Sequence, residues 1–309
     1  MLFSAAGCPA NQENKTKPEP PQPQFVHPER AGKRAIKLYF YDPQATLLVP
    51  VTRLIAGNSP MPETAFRELA AGPAGGSPLI KTIPDGTKLN ASKIESGVMT
   101  LDWSPELTAY GGGSTMEIGL VQSILFTAGQ FEEVSSVQFL IGGEKKDYLP
   151  EGTGIREPFP IPKWINDFGS GDEEDKFQAY LVIRGKNLLA PITISAADPA
   201  ELYRRLKDPR TYGGVFDSAP VEIGFVLSLE GRSRVVLGLD KSLMDIQLER
   251  RAPVVRALAC TVYNFVLSKP EFGSMKVTYN NEEAVSLFDV DLSEAGIAAW
   301  LSEINLEGE

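Results

Sequence analysis

The stretch EIGLVQSILFTAGQFEEVSSVQFLIGG, residues 117–143, carries two hydrophobic periods in succession. Ile118, Val121, Leu125 and Ala128 are spaced three and four apart, the period of one helical face. Val137, Phe139 and Ile141 are spaced two apart, the period of one strand face. A helix with one apolar stripe must bury it, and a strand with one apolar face supplies the partner. The spacing therefore predicts a helix, a short loop and a strand at the centre of an α+β domain.

The same succession recurs over residues 254–281, with Val255, Leu258, Val262 and Phe265 on a helical face and Met275, Val277 and Tyr279 on a strand face. Other segments repeat at nearly the same distance. Residues 188–193 match 47–52 at an offset of 141, proline included. Pro199, Tyr203 and Leu206 match Pro62, Phe66 and Leu69 at an offset of 137. Val236, Leu239, Asp240 and Ser242 match Val98, Leu101, Asp102 and Ser104 at 138. The slips fall in loops, where duplicated units tolerate length changes. The fold class expected is α+β, with two tandem copies of a β-β-α-β-β-α-β unit and helices packed on one face of a mostly antiparallel sheet.

In the first copy, residues 36–41 and 47–52 form a hairpin around Asp42-Pro43, and Pro50, which lacks an amide donor, places the second strand on an edge. Pro62 opens a short helix that Gly72-Pro73 closes. Residues 88–94 and 98–103 form a second hairpin. In the second copy Asp198 is placed to cap the helix at Pro199. Between the copies, residues 158–162 read as a strap against the first domain, and Asp172 to Asp175 as part of a solvated linker. The expected organisation is 1–8 as a signal remnant, 9–35 as a disordered tether, 36–166 as the first domain, 167–176 as an acidic linker and 177–309 as the second domain.

With 309 residues, 42% of them hydrophobic, the chain can bury a large core. A net charge of -10 and the absence of a basic stripe argue against nucleic-acid binding, which depends on Lys and Arg releasing counterions. Ala5-Ala6-Gly7-Cys8 resembles the end of a bacterial lipoprotein signal, in which the cysteine is acylated, and the proline- and Gln-rich residues that follow suit a tether. The apolar run before Cys8 is short and lacks a basic start, so this reading takes the given start as truncating a longer signal. The alternative is an ordinary frayed terminus.

Catalytic constellations are absent from the pattern. His27, the one histidine, lies in the tether, which excludes histidine-based triads and histidine-ligated zinc. Cys260 sits within a helical apolar pattern as a small buried residue. Gly111-Gly112-Gly113-Ser114 lacks the Gly-Lys-Ser/Thr of a phosphate loop, and a connection capped by Ser114 or Thr115 is the preferred reading. Asp102 and Asp240 occupy equivalent strand ends, where a turn or cap role is favoured over an acid–base pair. Arg204-Arg205 and Arg232 with Arg234 read as solvated surface, with Arg204 and Arg205 as candidates for a protein interface. Trp103, Trp164 and Trp300 read as core anchors, and Tyr110 is the one hint of an envelope-ligand groove. No metal site or cofactor is expected, the acidic run lacking the spaced ligands of a calcium loop.

Over residues 36–166 the chain resembles a GerM domain, the module known from bacterial sporulation and spore germination proteins. The resemblance is carried by Lys37-Leu38-Tyr39-Phe40, by Glu68-Leu69-Ala70-Ala71-Gly72-Pro73, by Ile83-Pro84-Asp85-Gly86-Thr87, by Gly97-Val98 with Leu101-Asp102, and by residues 122–143. The second copy is similar but lacks the Gly-Pro helix end and the Pro-x-Gly-Thr turn. The resemblance implies a non-enzymatic, extracytoplasmic module, often on a lipoprotein and similar in fold to ring-building domains. Its expected partners are other envelope or sporulation proteins, copies of itself, and the membrane through an anchor on Cys8. The alternative is a protein that binds peptidoglycan or another envelope ligand.

Overall fold

The computed structural model describes residues 29–30, 32–169, 171–183, 187–208 and 223–307; Cys8, His27 and most of the expected tether lie outside them. The strands are β1 (Glu29–Arg30), β2 (Lys33–Tyr41), β3 (Leu48–Ala56), β4 (Leu89–Glu95), β5 (Val98–Trp103), β6 (Ser136–Ile141) and β7 (Phe159–Pro160), then β8 (Lys176–Val182), β9 (Leu189–Ser195), β10 (Phe225–Glu230), β11 (Arg234–Leu239), β12 (Ser274–Tyr279), β13 (Glu282–Glu283), β14 (Ser286–Leu287) and β15 (Val290–Asp291). The described helices are α1 (Glu63–Ala71), α2 (Gly113–Ala128), α3 (Pro199–Lys207), α4 (Leu248–Ser268) and α5 (Glu294–Ser302).

Each copy divides its strands between two sheets. The antiparallel hairpins β2–β3 and β8–β9 stand apart from the four-stranded sheets, whose orders are β4-β5-β6-β7 and β10-β11-β12-β13. In both larger sheets the strands flanking the central helix pair in parallel, β5 with β6 and β11 with β12. A parallel pair needs a crossover, and α2 and α4 provide it. The strand face expected from spacing is observed, because Val137, Phe139, Ile141, Met275 and Val277 are all buried. In the first copy Val121, Leu125 and Ala128 of the expected helical stripe are buried, joined by Leu120 and Ile124, whereas Ile118 is 48% exposed.

Helix boundaries follow local chemistry. Gly72, at φ 93°, closes α1 with its amide donating to Glu68 O and Leu69 O at 3.3 and 3.1 Å. Asp198 accepts from Glu201 N at 2.7 Å to cap α3. Neither Ser114 nor Thr115 caps α2. Gly112 holds the cap position at φ 95°, a left-handed backbone that β-carbon-bearing residues resist. The first strand begins at Lys33, and β1 extends its hairpin by pairing Glu29 with Arg34, so paired backbone starts upstream of Ile36.

The acidic segment joining the copies is exposed at Asp172, Glu173 and Glu174, yet it is tied down by ion pairs. Lys176 Nζ bridges Asp167 at 2.7 Å and Glu173 at 3.0 Å, and Asp175 pairs with Lys269. The proline strap contributes β7, which pairs with β6 and sets Phe159 edge-on to Phe139 at 5.7 Å. The second copy has β13 in the place of β7, then adds β14, β15 and α5, a helix capped by Ser293 Oγ accepting from Gly296 N at 3.0 Å.

One hydrophobic cluster runs through both copies, from Ile36, Leu38 and Phe40 to Val262, Phe265 and Ile304. The copies are joined by a reciprocal clasp. Asn166 holds Leu48 N and O of its own copy at 2.9 and 2.8 Å and donates to Pro191 O of the other at 2.6 Å. Asn305 holds Leu189 N and O at 2.9 and 2.8 Å and donates to Pro50 O at 2.7 Å. Thr193 Oγ1 donates to Ile165 O at 2.7 Å, and Thr52 Oγ1 to Ile304 O at 3.0 Å. These pairs map onto one another under the internal repeat, which is pseudo-twofold behaviour. The outer edges of β3 and β9 are each occupied by residues of the other copy.

Candidate functional site

At the start of α2 the chain builds a buried carboxylate anchor. Glu117 is the one charged residue of that helix and is fully buried. Its carboxylate accepts from Tyr110 Oη, from Glu151 N at 2.7 Å and from Thr153 N at 2.8 Å. Burial alone would raise its pKa, but the donors from Thr153, Tyr110 and Glu151 outweigh burial and hold it below the usual carboxylate value. The Tyr110 hydroxyl is pushed well above its ordinary pKa by burial and by the adjacent carboxylate. Tyr110 is therefore a half-buried ligand of Glu117 rather than an exposed aromatic.

The loop anchored by Glu117 presents a different aromatic. Tyr148 is 69% exposed and borders a shallow groove with Asp147, Gly154, Arg156 and Glu157. Its backbone bridges Gly154, and Arg156 pairs with Asp147 at 2.7 Å, so the groove has a fixed polar wall. Such a surface can bind a polymer or a protein side chain, and it contains no nucleophile–base pair.

The remaining candidates take structural roles. Asp102 accepts from Gly143 N at 2.7 Å, and Asp240 accepts from Ser242 N at 2.8 Å, where hydrogen bonding lowers its pKa. Asp240 thus serves its own turn, and Asp102 holds the turn that follows the neighbouring strand β6. Arg205 pairs with Glu201 along α3, and Arg234 pairs with Glu230 across the β10–β11 turn. Trp103 is a core anchor, fully buried and edge-on to Phe66 at 6.2 Å. Trp164 and Trp300 are half-buried instead, Trp164 bonded to Glu173 and Trp300 stacked beneath Arg256. Cys260 is buried, and burial pushes its thiol pKa up, which leaves it unreactive. Among the described residues no group of His, Cys, Asp and Glu is arranged to hold a metal ion. No described helix is long and apolar enough to cross a membrane.

Sequence reasoning missed Glu117, Tyr148 and the clasp. The clasp had a signal: Ile165-Asn166 and Ile304-Asn305 repeat at an offset of 139, inside the band set by the other matches.

Residues 37–147 match the Germane family, described as sporulation and spore germination. Over 122 residues the chain is 30% identical to the spore germination protein GerM of Bacillus subtilis (strain 168), covering 38% of this chain and 33% of that protein. The match thus spans about a third of the curated relative's length. The tandem GerMN domains of the sporulation protein GerM from Bacillus subtilis superpose with a TM-score of 0.52 at 21% identity, covering 81% of this chain and 92% of that one. That likeness concerns the fold: two consecutive units in the same order.

Proposed function

We propose that this chain, whose residues 37–147 match the Germane family of sporulation and spore germination, is a GerM-type, non-catalytic, extracytoplasmic interaction module tethered to the membrane through Cys8. The observation that carries this reading is the reciprocal Asn166 and Asn305 clasp, which joins two interaction domains into one body and leaves their outer faces for other proteins. Tandem surfaces held at a fixed spacing raise the effective concentration of the second contact once the first is made. The outer faces include exposed Ile118 on α2 and Leu248 at the start of α4. Partners of this kind are envelope or sporulation proteins, and self-association can use these faces or the outer edges of β4 and β10, because those of β3 and β9 are occupied.

Crosslinking in intact cells, followed by identification of captured proteins, tests the assembly role. Recovery of the chain with no envelope or sporulation protein attached would count against it. Fractionation of a Cys8→Ala form tests the tether: release into the soluble extract is expected, and continued membrane association would remove the anchor from the proposal.

A second reading, binding of peptidoglycan or another envelope polymer, is favoured by the exposed Tyr148 beside Asp147, Arg156 and Glu157. Co-sedimentation with purified cell wall distinguishes it. Pelleting that is lost in Tyr148→Ala supports polymer binding, and failure to pellet excludes it.

A further inference from the structure

A cavity of ≈ 550 Å³ lies between α4 and α5, with Asn305 and Leu306 also in its lining. Its size falls within the roughly 300–1,000 Å³ of small-molecule sites. Arg256 enters it from α4, with its guanidinium 5.1 Å above the ring of Trp300. The Nε–H of Arg256 is buried and has no hydrogen-bond partner among the described residues. Asp289 and Asp291 line the same cavity, and among the described residues neither pairs with Arg256. Asp291 is directed to Ser293 N at 2.9 Å, and Asp289 stands exposed at the rim.

A partly desolvated guanidinium without a carboxylate is an unfavourable arrangement for a purely structural residue. Burial accordingly lowers its pKa. The planar face is held by Trp300, and because Nε is buried it is the Nη1–Nη2 end, which makes no hydrogen bond among the described residues, that is left for bidentate capture of a carboxylate. Asp289 and Asp291 make the cavity disfavour a simple anion such as sulfate. They suit a ligand that brings a cation at some distance from its carboxylate.

We propose that this cavity binds a small zwitterion, either a basic amino acid or the basic C-terminal residue of a peptide. The carboxylate sits on Arg256 and the side-chain ammonium lies toward Asp289. Because Asn305 lines the cavity and also holds Pro50 of the first copy, occupancy stabilises the clasp. Ligand that binds only the folded chain raises its melting temperature.

The test is calorimetric titration of the full chain with two probes, L-lysine and acetyl-alanyl-lysine, with acetyl-alanyl-lysine amide and sulfate as controls. Saturable binding of at least one probe is expected, the tighter of the two telling free amino acid from peptide terminus. The amide and sulfate should bind at least about tenfold more weakly. Arg256→Gln should weaken binding by at least about tenfold while leaving the unliganded melting temperature unchanged or raised. Asp289→Asn, at an exposed position, should weaken binding of the lysine probes with no change in folding. Absence of saturation by either probe up to about 10 mM, equal binding of acid and amide, or equal binding by Arg256→Gln overturns the proposal.

Discussion

Asn305→Gly should unfold both copies more easily, although the substitution lies near the end of the second. The Asn305 side chain makes three hydrogen bonds, to Leu189 N at 2.9 Å, Leu189 O at 2.8 Å and Pro50 O at 2.7 Å. Each is worth about 1 kcal/mol net, and a buried strand group left without a partner costs about 1–3 kcal/mol. The expected loss is therefore about 3–5 kcal/mol, a large share of the roughly 5–15 kcal/mol that stabilises a folded domain. Glycine is the informative replacement because Asn305 sits at φ 52°, where alanine would add about 1–2 kcal/mol of backbone strain unrelated to the clasp. Asn166→Gly should cost a similar amount, and the double variant less than the sum, since both residues hold one interface. Urea unfolding gives the magnitude, and amide exchange at Leu38 in β2 and Val277 in β12 reports each copy separately. A loss under about 0.5 kcal/mol would refute the reasoning. So would faster exchange at Val277 with Leu38 unchanged, because the copies would then be folding independently.

Other predictions concern single residues. Lys37 is buried, its Nζ donates to Leu301 O at 3.2 Å, and burial lowers its pKa from 10.5 to about 7. Between those values the unfolded chain binds the extra proton, so stability should rise with pH from about 7 to about 10, by at most about 5 kcal/mol. Lys37→Met should remove that slope and raise stability at neutral pH, as read from urea midpoints across the range. Glu117 titrates in the opposite sense. Its lowered pKa gives stability that is complete above the unfolded carboxylate value and lost as pH falls through the folded one. Glu117→Gln should abolish that acid-side loss and cost about 1–3 kcal/mol at pH 7, measured by the same titration. Gly119→Ala should destabilise by about 1–3 kcal/mol despite better helix propensity. The new methyl would lie 2.0 Å from Tyr41 Cε2, and that ring is pinned by its hydroxyl to Thr115 O at 2.8 Å. A melting temperature equal to wild type would show that the ring can move aside.

Hydrophobic period, turn chemistry and the nearly constant repeat offset were enough to determine the main repeated elements of this protein, though not β7, β13, β14, β15 or α5. The helix–loop–strand of residues 117–143, its duplication, the Gly72 stop and the Asp198 cap all follow from interactions within a few residues of one another. Such local preferences act wherever the segment ends up, and they brought the family resemblance with them. The copy-to-copy contact is a different kind of fact. Whether the β3 edge is open, which side chain meets Pro50 O, and whether Glu117 is solvated or anchored depend on residues between 34 and 255 positions away. No period encodes such distances. The same holds for Arg256, which in sequence is one cation in a helix and in the fold a half-buried charge lining a cavity against Trp300. Ile118 shows the boundary between the two levels: spacing identified its helix and most of the buried stripe, but only packing decided that Ile118 itself stays exposed.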